Sequence, residues 1–386
     1  MYLNFIDIII LISAAQSLFL SVIIFRKYGK TAANRILAVL MFSYALVLTQ
    51  MLLVDVRFYE VCLPLVLILI SSIFLLGPLH YLYARYIIST DVKILKKDLF
   101  HFVPPVIYIL IILPDLVKSE GQLPQSMSAM DGNSISVFFL VFNWIVMVQI
   151  SVYAVMTIVL IRRYSKSIKN LFSSIEKIKL NWLMNIVILF STGIIIYIIE
   201  NMLMTWKIIS NDYALSSIIG SFYIYIFGYL ALLKSEVFAS PDFSHEIEQV
   251  LELEENNNAE EKKYVKSGLS SDKAAEYENS LLSLMQSERP YLDSEITLNK
   301  LAGMMSVSPH HLSEVINKNL NQNFFDFINS YRIEKVKQDL VDSGKQNLTL
   351  LAIAIEAGFN SKSSFNMIFK KQTGMTPSEF RKKYLK

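Results

Sequence analysis

The stretch LLAIAIEAGFNSKSSFNMIFKKQTGMT (residues 350–376) decides how the last part of this chain folds. Leu350, Ile353, Ala354 and Ala357 recur at helical spacing and define an inward face. Gly358-Phe359-Asn360 then breaks the helix as a turn. A second helix is predicted from about Ser361 to Gln372, with Phe365 and Phe369 four residues apart on its inner side.

The same arrangement stands upstream. Leu298, Leu301, Ala302 and Val307 correspond to Leu350, Ile353, Ala354 and Phe359 at an offset of 52. Leu312, Ile316 and Asn321 correspond to Phe365, Phe369 and Gly374 at an offset of 53, so the second unit carries one inserted residue. Ser306-Val307-Ser308 supplies the first turn, and Ser308 before Pro309 is an N-cap followed by a proline suited to a helix start. A helix is predicted from there to Asn319. Two helices joined by so short a turn form a helix-turn-helix, the second helix being the one shaped to enter a DNA major groove. The units are assigned to about 294–320 and 346–376, joined by a helix from Phe324 to Leu340 packed through Phe327, Ile328, Tyr331, Ile333 and Val336.

From about Ser294 to Tyr384 these residues resemble the AraC-type (AraC/XylS) helix-turn-helix regulators. The resemblance is most specific from Ala357 to Arg381, where glycine-phenylalanine, serine-x-phenylalanine, phenylalanine-lysine-lysine and glycine-x-threonine-proline recur in order. Tyr331-Arg332-Ile333 matches the end of that family's linking helix. Asn321 departs from the usual glycine, but asparagine tolerates the left-handed backbone of such a turn. The resemblance extends to a membrane-anchored variety from Bacteroidetes-like bacteria, and implies transcription regulation through double-stranded DNA.

Helix geometry selects the residues that would face DNA. With Leu312, Ile316, Phe365 and Phe369 turned inward, the first recognition helix presents His310, His311, Glu314, Asn317 and Lys318. The second presents Ser361, Lys362, Ser363, Asn366 and Met367, with Lys370 and Lys371 at its far end. Asn and His suit base edges, whereas lysines suit phosphates. Arg381, Lys382 and Lys383 extend the basic surface. His310, His311 and Glu314 could be read as metal ligands, but the start of a recognition helix accounts for them better; no metal or cofactor is expected.

Working outward, charge divides the chain in three. Residues 1–234 carry 18 Lys/Arg against 11 Asp/Glu, residues 235–288 carry 4 against 13, and residues 289–386 carry 14 against 9. The middle stretch reads as an acidic linker with a short helix around Ile247, Val250 and Leu251. It is either a solvated connector or a dimerising, signal-relaying helix. Cys62 is the single cysteine, which excludes an internal disulfide framework.

Hydrophobic residues make up 53% of the 386 and charged residues 18%, with a mean hydropathy of +0.43. So apolar a chain must turn much of its surface toward lipid. Seven apolar stretches account for it: Phe5–Phe25, Ile36–Val54, Cys62–Tyr83, Phe102–Val117, Ile135–Ile161, Trp182–Trp206 and Ala214–Leu233. Most approach the ~20 residues that cross a ~30 Å hydrocarbon core. The fourth is short and contains Pro104, Pro105 and Pro114. The first lacks a basic leader and exceeds a signal-peptide core, so it reads as a span. The first, third and fifth loops hold 14 Lys/Arg and the second, fourth and sixth only 3, namely Arg57, Lys118 and Lys207. By the positive-inside rule the N-terminus is outside and the C-terminal domain cytoplasmic, at a bacterial inner membrane.

The fold class is therefore all-α, a seven-helix transmembrane bundle (1–234) followed by a linker (235–288) and a cytoplasmic tandem helix-turn-helix domain (289–386). Asp7, Gln50, Asn143, Glu200 and Asn201 lie toward the outer half of the spans. They are candidate ligand-sensing residues for a small-molecule or peptide signal, or else interhelical and interfacial contacts. The expected function is a one-component sensor, in which a signal at the bundle changes the presentation or homodimerisation of the DNA-binding domain. The alternative is a multi-span receptor or transporter whose tail binds a protein partner. H-E-x-x-H, G-x-S-x-G and glycine-rich phosphate loops do not occur in the sequence, so no enzyme is expected.

Overall fold

The computed structural model describes residues 4–88, 95–118, 137–176, 178–206, 208, 214–238 and 269–384, and their regular structure is helical. The chain forms two units, Met1–Arg162 with Leu180–His245, and Arg163–Lys179 with Glu246–Lys386. The expected short helix around Ile247 lies outside the described residues, as do the loop lysines Lys93, Lys177 and Lys207.

The first unit is built from α1 (Phe5–Ile23), α2 (Ala32–Asp55), α3 (Leu63–Ile70), α4 (Ile73–Ile88), α5 (Val103–Lys118), most of α6 (Val137–Leu171), α7 (Asn181–Thr205) and α8 (Ala214–Phe238). Among the described residues, seven helical stretches are long and apolar enough to cross a membrane, and each overlaps one of the seven apolar segments. The third stretch is interrupted: α3 stops at Ser71 and Ser72, whose hydroxyls donate to the carbonyls of Ile68 and Leu69 at 2.7 Å. A hydroxyl that supplies a local donor lets an apolar helix break without exposing its backbone. The fourth stretch begins as a 3₁₀ segment, Lys96–Phe102, before α5. Pro104 and Pro105 thus fall in the first turn of α5, where no amide donor is required.

α2 packs against α1 and α4, and α8 against α1 and α7. Along α6 the residues Val141, Trp144, Ile145, Val148, Val152, Val155 and Val159 are exposed at spacings of three and four. A continuous apolar stripe of this kind suits lipid rather than water. On α4 the buried His80 has Nε2 2.7 Å from the Tyr223 hydroxyl and 3.2 Å from that of Tyr44, while Nδ1 lies 2.7 Å from the Leu76 carbonyl. Phe190 stacks on the His80 ring at 4.3 Å.

The second unit contains α9 (Ser271–Ser287), α10 (Leu298–Met305), α11 (Pro309–Glu314, prolonged by a π turn, Val315–Asn319), α12 (Phe324–Val341), α13 (Leu350–Glu356), α14 (Lys362–Thr373) and α15 (Pro377–Tyr384). Helix α9 falls in the stretch read from charge as linker. It packs on α10 and on the π turn, and buries Leu281 and Met285. The internal repeat is also a repeat of caps. Thr297 and Thr349 cap α10 and α13, and Ser308 and Ser361 cap α11 and α14, each accepting the amide three residues on. Around α12 and the second repeat, Phe325, Ile333, Val336, Leu340, Ile353, Ala357, Phe365 and Phe369 form one core.

Candidate nucleic-acid interface

Helix α14 is half-buried, with one polar face outward. Ser364, Phe365, Ile368 and Phe369 are buried, which leaves Lys362, Ser363, Asn366, Met367 and Lys370 exposed on the other side. Its start is fixed by Ser361, whose Oγ accepts the Ser364 amide at 3.1 Å. Its end is fixed by Gly374 in the left-handed region at φ 75°. Lys371 is exposed but reaches Asp326 of α12 at 3.1 Å.

The first recognition helix is more engaged. Glu314 and Lys318 form an ion pair at 2.6 Å, and Asn317 donates to the Ser313 carbonyl at 2.8 Å. His310 and His311 are half-buried, with the His311 ring 6.1 Å from Tyr277 of α9. Sequence periodicity placed these histidines on an outer face because it assigned no helix to residues 271–287. Asn321 takes the left-handed conformation at φ 50°, the geometry expected where the first repeat lacks glycine.

Arg332, on the linking helix α12, ties the unit together. It is 1% exposed. Its Nε donates to the Tyr291 carbonyl at 2.8 Å and one terminal nitrogen to the Asp293 carbonyl at 2.8 Å. The guanidinium also donates to the Ser173 carbonyl at 3.3 Å and the Ser173 hydroxyl at 3.1 Å. Burial pulls it down to about 10, with the nearby Asp293 charge opposing the shift, so it stays cationic near neutrality. Gly358 approaches closely here: a Cβ on it would stand 2.4 Å from the Tyr291 carbonyl oxygen, and its φ is 92°.

Sequence reasoning missed the third participant, the segment after α6. Phe172 forms an isolated antiparallel bridge with Thr297. The Ser173 hydroxyl donates to the Ile296 carbonyl at 2.8 Å, and Asn329 donates to the Ser173 carbonyl at 3.1 Å. Ile175 packs against the core of the second repeat. Ser174 Oγ reaches Asn360 Oδ1 at 3.0 Å, and Ser361 Oγ donates to Glu176 Oε2 at 2.6 Å. Read as a basic topogenic loop, this stretch gave one legible sign, the apolar Phe172 and Ile175 among its lysines.

The five polar residues singled out in the spans have local partners or positions. Asp7 and Asn4 form a reciprocal capping box at the start of α1. Glu200 accepts the amides of Leu215 and Ser216 at 3.1 and 3.2 Å, capping α8. Asn143 accepts from the Tyr197 hydroxyl at 3.2 Å, and Asn201 donates to the Tyr197 carbonyl at 2.9 Å. Gln50 is half-buried on α2.

Residues 301–383 match the family model described as a helix-turn-helix domain. An uncharacterized HTH-type transcriptional regulator of Staphylococcus aureus (strain COL) is 33% identical over 91 residues, which is 24% of this chain and 12% of that protein. The uncharacterized HTH-type transcriptional regulator YtdP of Bacillus subtilis (strain 168) is 26% identical over 107 residues, 28% of this chain and 14% of its own. The chain therefore spans only about an eighth of the length of these relatives. No solved structure matches it significantly. With its repeated caps, its presented α14 and this match, the C-terminal part of the chain is a helix-turn-helix domain of the AraC type, joined to helices apolar enough to span a membrane.

Proposed function

We propose that this protein is a membrane-held regulator of transcription that reads double-stranded DNA through its two helix-turn-helix units. The observation that carries the reading is α14, whose buried Phe365 and Phe369 turn Lys362, Ser363, Asn366 and Met367 to solvent. Asn366 offers a paired donor and acceptor to a base edge, Met367 an apolar contact, and Lys362, Lys370 and Lys371 charge for phosphates. His310, His311, Glu314, Asn317 and Lys318 make the corresponding surface of the first unit, and the units address successive major-groove segments ~34 Å apart. The names of the curated relatives agree with this reading.

The seven apolar helices hold the protein in a bacterial inner membrane, with the N-terminus outside and the helix-turn-helix domain in the cytoplasm. A small-molecule or peptide signal at the bundle, with Asp7, Gln50, Asn143, Glu200 and Asn201 as its candidate contacts, acts by favouring one arrangement of the domain, as a monomer or in a homodimer. It can do so only through unequal affinity for the two arrangements.

The test is selection of genomic fragments by the full chain in nanodiscs across a salt series. Selective enrichment is expected. Lys362→Ala should weaken all fragments alike and flatten the log–log salt dependence by ~0.9. Asn366→Ala should instead relax the preference, removing about 1–3 kcal/mol of discrimination at one base pair. Binding with no preference at any salt sinks sequence reading.

A further inference from the structure

The start of α14 already holds an anion, and the anion belongs to this chain. Ser361 Oγ accepts the Ser364 amide at 3.1 Å and donates to Glu176 Oε2 at 2.6 Å, so one hydroxyl links the carboxylate to the first turn of the helix. The other carboxylate oxygen, Oε1, is 3.3 Å from Lys179 Nζ. A helix start with unpaired amides and a positive dipole end is where a DNA phosphate would sit against a recognition helix.

The carboxylate is held there by more than its own contact. Phe172 is bridged to Thr297, Ser173 is bonded to Ile296, Asn329 and Arg332, Ser174 to Asn360, and Ile175 packs against the core of the second repeat. Five consecutive residues thus engage both helix-turn-helix units at once.

We propose that Phe172–Glu176 is an intramolecular plug that competes with DNA phosphate for the start of the second recognition helix. The proposal rests on the DNA-binding reading and assigns its regulation. While the plug is seated, the Ser361 hydroxyl is committed and a negative charge faces the approaching backbone. The apparent affinity for DNA is then lowered by the fraction of molecules whose plug is out. Residues 163–171 are the last turns of α6, so the plug is continuous with an apolar helix of the other unit. A shift of α6 along its axis therefore pulls on Ser173 and Glu176, which gives the bundle a covalent route to the DNA-reading surface.

The experiment uses the full chain in nanodiscs and a fragment enriched by the wild type. Glu176→Gln keeps the size and an acceptor but removes the charge. Losing one charge-assisted hydrogen bond from the seated state should tighten DNA binding about 3- to 10-fold. In the opposite direction, Ser174→Cys/Asn360→Cys in a Cys62→Ala background is closed with a reducible bismaleimide. Crosslinking should abolish binding, and reductant should restore it. Unchanged or weaker binding by Glu176→Gln overturns the plug, as does a crosslinked protein that binds normally. If either happens while Lys362→Ala/Asn366→Ala still abolishes enrichment, DNA reading stands and only the plug falls. If the wild type, Glu176→Gln and uncrosslinked proteins all fail to enrich any fragment, both readings fall together.

Discussion

Arg332 shows how one side chain can set the geometry of several loops. A planar fork is needed to reach the carbonyls of Tyr291, Asp293 and Ser173 together. Lysine has the charge but concentrates its donors on a single atom. Arg332→Lys should therefore destabilise the second unit by on the order of 3 kcal/mol, because buried carbonyls lose charged partners. Protease susceptibility of the full chain around residues 290–300 reads this; an unchanged digestion pattern would show that the fork is dispensable. Gly358 belongs to the same junction. Any side chain there meets the Tyr291 carbonyl and must also adopt a left-handed backbone, so Gly358→Ala should cost at least ~1–2 kcal/mol by the same measurement. The glycine-phenylalanine pair was legible in the sequence as a turn. What it turns against was not, since Tyr291 and Ser173 are distant in the chain and carry no motif.

Elements were legible where one periodicity dominated. The two repeats and the linking helix lie within a few residues of their expected positions, and each of the seven apolar stretches overlaps its helix, though the fifth, α6, runs ten residues past Ile161 and the third is broken at Ser71 and Ser72. Helix α9 escaped because its stripe is short. Tyr277, Leu281, Leu284 and Met285 occur at helical spacing, but they sit in a region whose acidic composition reads as linker. The structure makes this helix a wall of the first helix-turn-helix unit, with Asn319 donating to Glu278 at 3.1 Å and His311 beside Tyr277. Leu281 is 0% exposed, so Leu281→Ala should destabilise the unit by about 2–5 kcal/mol. Hydrogen exchange of the α10 and α11 amides in the full chain would report the loss. A connector helix predicts almost no change, since truncating a solvated leucine is nearly neutral. The contacts of residues 172–176 escaped for a related reason: the lysines that flank them served the topology argument, and a carboxylate between those lysines carried no pattern of its own.

At the scale of the whole molecule, two unrelated observations bear on which side of the membrane each loop occupies. The first is the charge pattern, in which the first, third and fifth loops hold 14 basic residues against 3 in the others. The second is structural. Residues 163–179, the fifth loop, fold as part of the unit that contains the helix-turn-helix domain. If the proposed spans cross a membrane, loop and domain share a side, which is consistent with α7 and α8 both crossing between them. On the proposed function the domain meets DNA in the cytoplasm, which would put the fifth loop there too, the side that its basic residues predict. Cysteine placement tests this topology, because Cys62 is the single native thiol and stands where the second loop meets the third stretch, at the N-cap of α3. In a Cys62→Ser background, Val61→Cys should react with a membrane-impermeant maleimide in spheroplasts. Val61 is 77% exposed, so access is not limited by packing. Lys97→Cys, an exposed position where the third loop meets the fourth stretch, should react only after the membrane is opened. Labelling of Lys97→Cys from outside would invert the topology, remove the domain from DNA, and with it the case for transcription regulation.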